Sequence, residues 1–428
     1  MIFLSLFCLS HQILSLSAHA EESRWTQFLG SDGRGVSEAV VPTRWSQELN
    51  IDWRTELPGR GWSSPVVSNE KVYLTAAIPL SSGPGDNQED GELEPVKNTE
   101  FELSLLIVDL KTGHLLKRVP IMIQDDERPS RMHGKNSHAS PTPIISKDRI
   151  YVHFGYQGTA CLTLAGEIVW INRELYFPPT HGNGGSPILV DSKLVFTCDG
   201  GKEPKVVALD AATGQVAWEV ARDANARKTF SFCTPTEINV KGRTLVITPG
   251  SDGVAAIDPS TSEVVWSFRY SGYSVVPKPI VVDGLVVIST GFDEARMLAI
   301  DPKGSGDVTE SHLAWEVDRN VPKTPSMIAK NGLIYSISDD GIALCIKASD
   351  GEIQYRKRIG GNYSASPVLA GGKIYFTSEA GKTTVVREGA EFEVISESDL
   401  KERTLATMAI AGESLLIRTD NALYRIND

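Results

Sequence analysis

Short apolar runs alternate with polar turns along this chain, and the alternation recurs as a unit. From Ser186, SPILVDSKLVFT sets β-branched and apolar residues on both sides of Asp191, Ser192 and Lys193, which predicts a strand, a tight turn and a strand. VVALDAATGQVAWEV, residues 206–220, predicts a second such pair, so the unit holds four strands. In its turn the Asp210 carboxylate can accept backbone N–H groups, and Gly214 can take the positive φ that closes the loop. Near-copies follow as VAAIDPSTSEVVWSF from Val254 and ALCIKASDGEIQYRK from Ala343.

The units align on Pro65, Pro143, Pro187, Pro235, Pro279, Pro325 and Pro367, with Met408 at the equivalent place in the last. The steps are 78, 44, 48, 44, 46, 42 and 41 residues, and all but the first fall in the range of four-stranded propeller blades. The last unit, from Thr407, holds only three strands, and NIDWRTELPG from Asn50 can supply the fourth. The predicted fold is all-β: an eight-bladed β-propeller of four-stranded antiparallel blades, closed by pairing an N-terminal strand with the C-terminal blade. Such pairing removes an exposed sheet edge. Residues 21–428 then form one domain, with blade 8 a composite of about 50–57 and 404–428. The long first step contains an acidic loop at about 79–100 whose carboxylates lack the alternating spacing of a calcium loop.

Most units end on a large aromatic residue at a fixed place: Trp53, Trp170, Trp218, Trp266, Trp315 and Tyr355. Rings at this interval are expected to pack blade against blade rather than to hold a ligand. Blade 1 has Lys117 there and blade 7 has no aromatic match, so those two interfaces should be packed differently.

Composition narrows the partners. A net charge of -12 argues against binding nucleic acid, which needs a basic face. Residues 1–20 are apolar and end in Ala18-His19-Ala20, the pattern of a cleaved signal peptide, so export to the periplasm or cell envelope is expected. No later segment is long and apolar enough for a membrane span, and a monomer is expected. Cys161, Cys198, Cys233 and Cys345 have no metal or redox spacing; buried free thiols are the preferred reading, with a Cys198–Cys233 disulfide left open.

In a propeller, residues just before each innermost strand converge on one mouth of the central channel. Here they are Arg60, Trp62, Lys135, Asn136, His138, His181, Asn183, Lys278, Lys323 and Tyr363, with Ser231, Thr234, Thr324 and Ser364 among them. Arg60, Lys135, Lys278 and Lys323 suggest a local basic pocket for a small acidic ligand or a carboxylate-bearing segment, and Trp62 and Tyr363 a surface for a glycan. His138 and His181 lack a third ligand at fixed spacing, so no metal site is predicted. No catalytic residue is assigned. Asp210, Asp258 and Asp301 belong to turns; Asp199, Asp293 and Glu294 lie in non-repeating loops and are better places to look. Nucleophile-elbow and phosphate-binding glycine motifs are missing.

ALDAATGQVAW from Ala208 matches the A-x-D-x-x-x-G-x-x-x-W tryptophan-docking pattern, which recurs at Ala256, Asp258, Ser262 and Trp266. In this the chain resembles the pyrroloquinoline quinone (PQQ) repeat propellers, and WTQFLGSDGRGVS looks like the start of exported, planctomycete-type PQQ-like repeat proteins. Two groups of relatives imply different functions. The BamB-like propellers imply a non-catalytic binding or assembly scaffold, taking an envelope protein or extended peptide at the channel mouth with no cofactor. The quinoprotein dehydrogenases imply the alternative, a PQQ- and calcium-dependent alcohol or sugar dehydrogenase. The adjacent Cys pair of many dehydrogenases, and the long insertions that cap their quinone pocket, are not found in this sequence.

Overall fold

A computed structural model describes residues 24–80, 100–125, 128, 132–222 and 226–428; the segment 1–20 expected to be a signal peptide and most of the acidic loop lie outside the described residues. Eight sheets form, each built on a four-stranded antiparallel blade. Blade 3 is representative, with strands Ile188–Val190, Lys193–Cys198, Lys205–Asp210 and Val216–Ala221 in that spatial order. Its first turn pairs Val190 with Lys193, and Asp191 and Ser192 both take positive φ (46° and 60°). That is the type I′ hairpin whose twist matches the strands it joins. Its second hairpin turns on Asp210, whose carboxylate accepts the N–H groups of Ala212 (3.1 Å) and Thr213 (2.8 Å).

Blade 8 closes the ring across the chain ends. Ala409–Ala411, Ser414–Arg418 and Ala422–Ile426 are completed by Ile51–Glu56, which pairs antiparallel with Ala422–Ile426. The innermost strands begin at Val66, Ile144, Ile188, Thr236, Ile280, Ile328, Val368 and Ala409. Blade 6 therefore opens on Met327, and Pro325 stands two residues too early in the sequence alignment. A one-residue marker cannot tell that Pro325 is out of register; the strand start at Ile328 does. Proline suits this place because the innermost strand is a sheet edge, where a missing N–H breaks no ladder.

Neighbouring blades share cores of buried Val, Leu and Ile. The outer-strand indoles bridge these interfaces. Trp170 Nε1–H donates to the Ala211 carbonyl of the next blade (3.1 Å), Trp218 to Pro259 (3.0 Å), Trp315 to Ala348 (2.8 Å) and Trp53 to Leu110 (3.0 Å). Trp266 is fully buried between blades 4 and 5, and Tyr355 meets Phe392 edge-on. At the Lys117 place the ammonium donates to the Ala165 carbonyl at 2.9 Å, so a cation makes the bond an indole makes elsewhere. Blade 7 has Ser396 at that register position, donating to the Thr43 carbonyl, while Trp45 covers the gap and stacks on Tyr375. Cys161, Cys198, Cys233 and Cys345 are free and buried.

One segment has no counterpart in the repeats. Residues 25–37 cross the channel inside the ring of innermost strands. Trp25 pairs with Val67 of blade 1, and the Thr26 carbonyl accepts Ile145 N–H of blade 2 at 2.8 Å. On the far side the Gly35 carbonyl accepts Leu369 N–H at 2.8 Å, and Val36–Ser37 adds to Val368–Ala370 as a parallel strand. Leu29 and Trp25 are buried along this path. The channel is thus plugged by its own chain.

Candidate functional site

The plug turns the channel into a closed-ended funnel of about 580 Å³. Phe28 of the plug lines it, together with residues from the loops that lead into the innermost strands. At its base lie the residues immediately before each opening Pro or Met. Backbone N–H groups and hydroxyls link these residues around the channel in two arcs. In the first, Ser64 N–H donates to Thr142 Oγ1 (3.0 Å), Thr142 to Ser186 Oγ (2.9 Å) and Ser186 to Thr234 Oγ1 (2.9 Å). In the second, Lys278 N–H donates to Ser326 Oγ (3.0 Å), Ser326 to Ser366 Oγ (2.9 Å) and Ser366 to Thr407 Oγ1 (2.9 Å). Five of these six donors precede a proline, where extended backbone is preferred; Ser326, before Met327, is the exception.

Seven of the eight blades place a hydroxyl in this ring, and the eighth places Lys278. Its ammonium leaves the ring and donates to the plug's Gly33 carbonyl at 2.8 Å. Burial pushes its pKa down to about 8, opposed by the neighbouring Cys233 and Asp32.

Above the ring the wall is aromatic on one side. His181 packs edge-on against His133 (5.7 Å between centroids) and Phe230 (5.1 Å), and Phe230 continues to Phe232 and Tyr273. Cations cover rings at three places: Arg403 over Trp62 at 5.4 Å, Arg227 over Tyr273 at 5.8 Å, and Lys323 over Phe292 at 5.5 Å. Among the described residues Lys135 is the only ammonium in the lining, and it is paired with Glu379 at 2.9 Å.

Of the residues expected at the mouth, Trp62, Lys135, Asn136 and His181 line one cavity. Arg60, His138, Asn183, Lys278, Lys323 and Tyr363 are outside its lining. His138 turns into the protein, where its Nδ1 meets Gln124 Oε1 at 2.9 Å and its ring stacks on Phe101; burial lowers its pKa to about 4, so it stays neutral. Tyr363 is buried among blades 6 and 7. Arg60 pairs through its backbone with Ala77, and Asn183 packs against Gly155. The basic pocket expected from four cations therefore does not assemble: Lys278 serves the plug, Lys323 covers a ring, Arg60 stands aside and Lys135 is neutralised. A charge gains more from a partner in the wall than from an open mouth.

The loop carboxylates are likewise engaged. Asp199 is buried against Arg222 Nε at 3.0 Å, and burial lifts its pKa to about 6. Asp293 accepts from Arg227 (3.3 Å) and Tyr273 (3.2 Å). The aromatic wall and the hydroxyl ring were missed from sequence as a site. The ring has a signal there all the same: a Ser or Thr directly before the opening Pro or Met of seven units.

Comparison with known proteins fixes the family. The sequence profile described as outer membrane protein assembly factor BamB matches residues 96–220, 159–303, 202–329 and 311–427. The chain belongs to the BamB family. The BamB of Yersinia pestis is 23% identical over 232 residues, and the match spans 51% of this chain and about half, 55%, of that protein's length. Among solved structures, BamB from Moraxella catarrhalis shares the fold with a TM-score of 0.52 at 13% identity, covering 83% of this chain and 97% of that one. Quinohemoprotein alcohol dehydrogenase from Comamonas testosteroni has a TM-score of 0.66 at 12% identity, over 97% of this chain and 82% of that one. A europium-containing methanol dehydrogenase has 0.67 at 10% identity, over 96% of this chain and 99% of that one. At these identities the likeness is one of fold.

The dehydrogenase resemblance raises PQQ and calcium, and the funnel of this BamB-family chain can be tested for them. Calcium takes oxygen ligands with carboxylates among them, and among the described residues no Asp or Glu lines the cavity. Among the described residues no group of three His, Cys, Asp or Glu could hold a metal ion. A polycarboxylate quinone needs free cations, and the one ammonium in the lining is spent on Glu379. The residues present do not fit that pair of groups.

Proposed function

We propose that this protein is an exported, non-catalytic scaffold of the cell envelope that receives an extended segment of a partner protein in its funnel. The observation that carries this reading is the lining: hydroxyls below, aromatic rings with His133 and His181 on one side, and, among the described residues, no carboxylate and no ammonium other than the paired Lys135. Family membership supports it, since a BamB-family propeller suits a binding or assembly role. Placement in the envelope follows from the apolar segment 1–20 and its A-x-A ending. A closed floor favours a ligand that enters and stops over one that threads through.

The test is native mass spectrometry of the protein from its own envelope fraction, alongside Thr324→Trp, which fills the funnel. A polypeptide that accompanies the parent chain and is lost from the variant is the expected result. Co-purification of a quinone, with dye reduction on adding an alcohol or aldose, would overturn the reading in favour of the dehydrogenase.

A further inference from the structure

The hydroxyl ring holds more donors than the fold uses. Thr142, Ser186, Thr234, Ser326, Ser366 and Thr407 are each at most 5% exposed and line the funnel. All six accept one of the backbone N–H bonds described above, and among the described residues no bond has any of these hydroxyls as donor to a protein acceptor. A hydroxyl that accepts one hydrogen bond still carries a proton to give. A buried donor left unmatched costs about 1–3 kcal/mol, so six of them facing one cavity form a site poised to donate to an acceptor. Ser64 adds a seventh hydroxyl, 2% exposed, at the same level.

Two further features set what the ring accepts. Its eighth place holds Lys278, whose ammonium is turned to the plug's Gly33 carbonyl and lies outside the lining, so the hydroxyls are what a ligand meets at the base. Among the described residues no carboxylate lines the cavity. Convergent O–H donors with no matching acceptor of their own favour a single anionic oxygen acceptor. Above the ring, Phe28 and the wall of Phe230, Phe232 and Tyr273 favour an apolar or aromatic body.

We infer that the base of the funnel binds a carboxylate group, with the apolar or aromatic body attached to it lying against the aromatic wall. The inference rests on the reading of the funnel as a binding site and names what that site grips. The same chemistry occurs at the C-terminus of a polypeptide ending in an aromatic residue and in a free aromatic acid. The closed floor fits either, since both present the carboxylate first.

Calorimetric titration of the full chain at pH 7 tests this with three probes: the acetylated peptide Gly-Ser-Gly-Ser-Phe as free acid, the same peptide as C-terminal amide, and 3-phenylpropanoate. The acid forms are expected to bind at least tenfold tighter than the amide. A peptide acid tighter than 3-phenylpropanoate assigns the site to chain ends, and the reverse order assigns it to small acids. Ser366→Ala combined with Thr407→Val is expected to weaken the acid about tenfold and leave the amide unchanged. Equal binding of acid and amide would overturn the carboxylate assignment while the funnel stands as a peptide site. Failure of all three probes to bind at millimolar concentration, with a polypeptide still lost from Thr324→Trp in the envelope fraction, would overturn it too and leave the scaffold reading intact.

Discussion

Lys278 Nζ donates to the Gly33 carbonyl at 2.8 Å, joining blade 5 to the segment that plugs the channel. The bond carries a buried charge at the one ring position without a hydroxyl, which gives it a measurable pH signature.

The Lys278 pKa lies near 8 in the folded chain, below its ordinary 10.5, chiefly through burial. Between pH 8 and 10.5 the unfolded chain therefore binds more protons, so the contribution of this residue to stability rises with pH across that window and is most unfavourable below it. The stability of the parent chain minus that of Lys278→Met is expected to climb by on the order of 3 kcal/mol from pH 7 to 10.5. Urea unfolding at stepped pH measures it, and a flat difference would count against a buried ammonium.

Gly214 has φ +75° and lies under the Trp170 ring, where a Cβ would stand 2.5 Å from Cε3. Gly242 has φ +86° with nothing within 4 Å. Alanine at Gly242 should cost about 1 kcal/mol from backbone conformation alone. At Gly214 the displaced indole adds about 1–3 kcal/mol more. Denaturant midpoints of the two variants separate packing from backbone strain.

Arg222 and Asp199 form an ion pair whose carboxylate is buried, and Arg222 also donates to the carbonyls of Thr248 (2.8 Å) and Pro249 (3.1 Å). Arg222→Met should cost about 3–5 kcal/mol at neutral pH by stranding the carboxylate. An acid whose folded pKa lies above its unfolded value loses stability as pH rises between the two; here that window opens near 4 and closes near 6 in the parent chain. Without the arginine the upper limit moves up, so the variant should be more stable at pH 5 than at pH 7. Adding Asp199→Asn should abolish that difference.

Trp53 ties the N-terminal strand to blade 1 through Leu110 and covers Gly113. Trp53→Ala should cost about 3 kcal/mol and loosen blade 8 first. Hydrogen exchange should rise in Ala422–Ile426, the strand paired with Ile51–Glu56, before it rises in blade 3. Uniform exchange across both blades would argue against a closure that depends on this residue.

Much of the ring was legible in the chain because its cause is local and repeated. Asp210, Gly214 and Trp218 recur with one spacing, and each acts within its own hairpin or on the next unit, so the repeat reports the blade and its neighbour together. Blade 6 was misplaced because Pro325 imitates the marker two residues from Met327. The site was less legible. Trp62, Lys135, Asn136 and His181 meet in one cavity, but His138 and Tyr363 occupy similar places in the sequence and turn into the core. A loop position fixes where a Cα lies; the side chain's direction follows from what it can bury or bond.

By itself the sequence determined the number of blades, their hairpins and the strand exchange between chain ends, since these depend on periodic burial and turn chemistry repeated along the chain. Only the tertiary structure decided that residues 25–37 close the channel, that the hydroxyls before seven of the innermost strands link in two arcs around it, and that Lys278 spends its charge on Gly33. Those contacts join residues up to hundreds of positions apart, with no repeat to announce them, and they exist because buried donors and charges must find whatever partner the closed ring brings near.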